Sequence, residues 1–137
     1  MNSKQYQKFT FDEIPAAQIL SDGTKINGTK TYSFQIRNGY TFATGLFLYC
    51  VNSIANLLVS IKIDGNEILP VGTDATIFRW TEGISRNEAL WDFSKEAIKC
   101  EGKRVEITFE NESTSDFDGE MLDLYLLLQN QIEEFVA

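Results

Sequence analysis

The side chains best able to do chemistry are concentrated in one acidic stretch, Glu110-Asn111-Glu112-Ser113-Thr114-Ser115-Asp116-Phe117-Asp118-Gly119-Glu120. Calcium takes roughly six to eight oxygen ligands, and a flexible acidic loop can deliver them. Asp116, Asp118 and Glu120 are the candidate ligands. The run 116–119 matches a fragment of an EF-hand loop but lacks the third aspartate and the distal glutamate at the required spacing. The plainer reading is a solvated strand connection held open by like charges, so no metal site is favoured. Asp22, Asp64 and Asp74 each lie next to or near a glycine, which is ordinary turn chemistry.

Other chemistries fall away by composition. The chain has no histidine, which removes Ser-His and Cys-His nucleophilic catalysis and the commonest general base. A carboxylate pair could hydrolyse a glycosidic bond, yet among 20 acidic residues the sequence selects no pair. There is no nucleophile elbow and no phosphate loop. Cys50 and Cys100 are far apart, each in an apolar context and neither in a CxxC pair. They read as buried thiols. The expectation is a protein that is not an enzyme and uses no cofactor.

Two tryptophans bracket a polar stretch, Trp80 and Trp91 around Thr81-Glu82-Gly83-Ile84. Such residues serve as core, as anchors at a protein interface, or as platforms for sugar rings. With Tyr40 they are the candidate exposed contact aromatics, and Phe135 and Val136 the contacts of a terminal arm over 130–137.

These residues must be positioned by short strands. Phe9 and Phe11 alternate with polar neighbours; Tyr32, Phe34 and Ile36 do so more clearly, up to the turn Asn38-Gly39. Residues 41–51 are almost wholly apolar, which predicts a strand covered on both faces with a bulge at Gly45. Leu57, Val59, Ile61 and Ile63 alternate up to Asp64-Gly65, the strongest short hairpin signal. A strand is expected over 75–80, another on Val105, Ile107 and Phe109, and a last one with Leu122, Leu124, Leu126 and Leu128 on one face and Tyr125 and Leu127 on the other. The capping-box spacing Ser85-Arg86-Asn87-Glu88 predicts one helical turn over 86–92. The 137 residues suit one domain. The fold class expected is all-β: an antiparallel β-sandwich, jelly-roll-like, with about eight strands and at most one short helix.

The stretch Leu58-Val59-Ser60-Ile61-Lys62-Ile63-Asp64-Gly65-Asn66-Glu67-Ile68-Leu69-Pro70 resembles a hairpin of small virion proteins of tailed bacteriophages, compact sandwich domains that decorate capsids or form head fibres. The likeness continues through Phe78-Arg79-Trp80, residues 87–93 and residues 121–129. It implies a non-enzymatic structural role in the virion, made in the host bacterial cytoplasm, with self-association and docking to partners such as the major capsid protein. The charge of −8 repels phosphate backbones and anionic headgroups, so neither nucleic acid nor membrane is an expected partner. The alternative is a carbohydrate-binding module or adhesin domain that stacks sugars on Trp80 and Trp91.

Overall fold

The computed structural model describes residues 4–50, 54, 56–80, 91–93, 97–118 and 122–130, with the backbone alone for Lys4 and residues 77–80. The described strands are β1 (Lys4–Thr10), β2 (Gln18–Ile19), β3 (Lys25–Ile26), β4 (Gly28–Gln35), β5 (Phe42–Cys50), β6 (Leu57–Ile63), β7 (Asn66–Asp74), β8 (Arg79–Trp80), β9 (Trp91–Asp92), β10 (Ile98–Lys99), β11 (Arg104–Asn111) and β12 (Leu122–Gln129). The expected all-β antiparallel sandwich is what forms. One sheet runs β1-β12-β5, with β10, β9 and β8 in succession along the far edge of β5; the other runs β4-β11-β6-β7.

Taken in chain order as eight stations, with β8–β10 as one, the first sheet reads 1-8-3-6 and the second 2-7-4-5. The chain changes sheet at every connection between stations except the β6–β7 hairpin, which is the winding of a jelly roll. At that hairpin Asp64 has φ 51° and Gly65 φ 79°, both positive as a two-residue turn between right-twisted strands requires.

Period-two patterning sets the core. Leu122, Leu124, Leu126 and Leu128 point inward from β12, with Leu46 and Leu48 beside them on β5. Val59, Ile61, Ile63, Val105, Ile107 and Phe109 meet them from the other sheet in one cluster. Phe9 and Phe11 close the side where β1 and β4 lie together, Phe9 stacking on Phe34 at 4.8 Å and Phe11 meeting Phe109 edge-on at 4.9 Å. Cys50 and Cys100 are both buried.

Three local expectations change. Residues 75–78 form a 3-10 turn, with strand only at Arg79–Trp80. Asp74 initiates it, its Oδ1 accepting from Thr76 N at 2.9 Å and Thr76 Oγ1 at 2.8 Å, a local competitor to strand pairing. The β5 irregularity falls at Thr44, skipped between the Gly45↔Leu127 and Ala43↔Leu128 pairs. Its hydroxyl is buried and donates to Gln129 Oε1 at 2.6 Å. The helical turn expected over 86–92 falls on residues that, up to 90, lie outside those described; Trp91 and Asp92 are strand.

Candidate functional site

The surface feature with no role in the sandwich itself is the ribbon β2–β3. Its turn is dictated locally: Asp22 Oδ1 accepts from Thr24 N at 2.9 Å, Leu20 N donates to Thr24 O at 2.8 Å, and Gly23 adopts φ 87°. The Thr24 amide holds the Asp22 carboxyl below its ordinary value. Strands of two residues have no second layer to cover them. Ile19 is therefore 63% exposed, Leu20 42% and Ile26 51%.

The base of this ribbon is fixed firmly. Ala17 N donates to Ser113 O at 2.7 Å and Ala16 N to Asp116 Oδ1 at 2.8 Å, while Ile14 and Phe117 exchange two backbone hydrogen bonds. Asn111, buried at the end of β11, donates its amide to Pro15 O and Ser115 O and accepts from Ser113 N. Gly28 allows the closest approach, because a Cβ there would lie 1.9 Å from Pro15 O. An exposed apolar tip thus stands on a tightly bonded base. Apolar groups displayed in this way on a rigid support suit a protein contact.

Beside the base lies a group of charged side chains. Lys30 pairs with Asp12, which also accepts from the Tyr32 hydroxyl at 2.8 Å. The Lys30 bond, then the Tyr32 bond, hold Asp12 below its ordinary value; burial and then Asp12 push the Tyr32 phenol well up. Glu13 and Asp116 act on each other: Asp116 raises Glu13, while Glu13 first and the Ala16 amide second lower Asp116.

Asp116, a calcium candidate by sequence, is thus engaged in holding the ribbon. Asp118 lies close enough to Glu13 to raise it electrostatically, and Glu120 is outside the described residues. Among the described residues no group of three Asp, Glu, Cys or His side chains could hold a metal ion. No helix among them is long and apolar enough to cross a membrane.

The contact aromatics separate. Trp91, opposite Leu46, is 40% exposed. Trp80 lies opposite Tyr49, three residues further along the same β5 edge, about 10 Å away; its side chain is outside the description, as are Phe135 and Val136. Tyr40, expected to be exposed, is instead half-buried against the core.

Two features escaped sequence reasoning. One is the ribbon, whose signal was Ile19, Leu20 and Ile26 flanking a good turn. The other is an aromatic group on the outer face of the first sheet, where Phe47 stacks on Tyr125 at 4.9 Å and meets Tyr6 at 5.2 Å. Compared with known proteins, the chain matches no family, no curated protein and no solved structure.

Proposed function

We propose that this chain is a non-enzymatic structural protein of a virion, an auxiliary (decoration) capsid protein or a related head or tail component. It acts by self-association and by docking on the shell. The observation that carries the reading is the ribbon: Ile19, Leu20 and Ile26 are exposed on a base fixed by Asn111 and Asp116. The hairpin likeness over 58–70 gives the viral direction. Jelly rolls serve as shell domains, and also as lectins.

A second reading, a carbohydrate-binding module or adhesin domain, draws on Trp91, the exposed tryptophan on the β5 edge. Co-sedimentation with purified shells separates the two. The wild-type chain should pellet with shells, and a variant carrying Ile19→Ser, Leu20→Ser and Ile26→Ser should stay in the supernatant with its melting temperature unchanged. Equal pelleting of both would remove the ribbon from the account. Binding to glycan beads that Trp91→Ala abolishes would favour the second reading.

A further inference from the structure

We propose that Asn38 is a site of spontaneous deamidation, and that the fold protects the chain's other Asn-Gly step, Asn27-Gly28. The two steps have the same covalent chemistry. The amide nitrogen of the glycine, its proton taken by solvent hydroxide, attacks Cγ of the asparagine. The Cγ–Nδ2 bond breaks and ammonia leaves, closing a succinimide. Water then opens either carbonyl, giving aspartate or isoaspartate. One nitrogen is exchanged for one oxygen, with water the only co-reactant and no change of oxidation state. Asparagine's lability of this kind is general; what selects one site over another is whether the backbone and side chain can reach the ring.

At Asn38 they can. Asn38 and Gly39 form an exposed turn between β4 and β5. No atom beyond residues 38–40 lies within 4 Å of where a Cβ on Gly39 would sit, and Gly39 holds φ 97°. Among the described residues neither the Asn38 side chain nor the Gly39 amide has a hydrogen-bond partner. The feet of the turn are pinned: Ile36 N donates to Lys103 O at 3.0 Å, Arg37 N to Gln7 Oε1 at 2.7 Å, and Cys100 N to Thr41 O at 2.8 Å. Ring closure therefore needs rotation only within residues 38 and 39, without opening the sandwich.

At Asn27 the same rotation is blocked. Gly28 is the first residue of β4, paired opposite Asn111, and packs so closely on Pro15 O that even a methyl group has no room. The Asn27 amide donates to Glu110 Oε2 at 3.4 Å. Bringing Gly28 N onto Asn27 Cγ would pull the end of β4 off β11 and disturb the base of the ribbon.

Deamidation at 38 adds a negative charge to a chain already at −8. Its isoaspartate product routes the main chain through the side-chain carbon, lengthening the turn next to Tyr40. The inference does not depend on the proposed function.

The test is peptide mapping by mass spectrometry of the full chain held at mildly alkaline pH. Over time the peptide carrying Asn38 should show the ammonia-for-water mass gain, split between aspartate and isoaspartate forms, while the peptide carrying Asn27 stays unchanged. In urea both should convert at comparable rates, and Asn38→Gln should abolish conversion at 38 in either condition. Equal conversion of both sites in the native chain would overturn the protective role of the β4 start. Conversion of neither in the native chain, with both converting in urea, would overturn the assignment of Asn38.

Discussion

Asn111→Ala tests the base of the ribbon. The side chain is 2% exposed and makes three hydrogen bonds: its amide to Pro15 O at 3.2 Å and to Ser115 O at 2.9 Å, and its Oδ1 from Ser113 N at 2.9 Å. Each bond contributes about 0.5–1.5 kcal/mol net, and partners left buried and unpaired add to the loss. Partial rescue by entering water brings the expected cost to about 2–4 kcal/mol. For a domain of this size that lowers the melting temperature by roughly 6–16 °C.

The assay is urea unfolding followed by tryptophan fluorescence, with the slope unchanged and the midpoint moved down by about 1–2 M. Asn111→Asp is the informative companion. It keeps the acceptor for Ser113 N but loses both donors and turns a carboxylate toward two carbonyls, so it should cost at least as much as alanine. A loss under about 0.5 kcal/mol for alanine, or an aspartate variant as stable as wild type, would refute the view that this network fixes the ribbon.

The triple serine variant of Ile19, Leu20 and Ile26 forfeits the burial of tips 63%, 42% and 51% exposed. That is worth about 2–5 kcal/mol of docking, so titration against shells should show affinity falling between about thirtyfold and a few thousandfold; a change under about threefold would contradict it. Asp12 is held below its ordinary value by Lys30 first and Tyr32 second, so its contribution is present above the ordinary aspartate range and lost as pH falls through the lowered folded value. The melting-temperature gap between wild type and Asp12→Asn should accordingly close on acidification, and a gap independent of pH would argue against the pairing. Burial pushes the Cys100 thiol up to about 11, so iodoacetamide at pH 8 should leave Cys100 unmodified until urea is added; rapid native labelling would mean that site opens.

The strands long enough to show a period were legible in the sequence. Leu122–Leu128 gave the right inward face, and Asp64-Gly65 the right turn, because both rest on contacts between near neighbours. The 3-10 turn after Asp74 was missed because Ile77 and Phe78 suggested strand while the Asp74–Thr76 bonds decided otherwise. The strands β8, β9 and β10 are two residues each, too short for any period, and exist because β5 offers them an edge. Asn111 read as part of a solvated acidic loop. Its burial comes from Pro15, 96 positions earlier, and no local pattern reports a contact of that span. The same holds for Asp116, whose carboxylate seemed free for an ion and instead accepts from Ala16 N.

The most direct test of the proposed structural role is quantitative mass spectrometry of purified virus particles from the source culture, counting this chain against the major shell protein. The account predicts a fixed ratio in every preparation, with hundreds of copies per particle for a shell decoration protein and a handful for a tail or fibre component. Absence of the chain from washed, intact particles would contradict it.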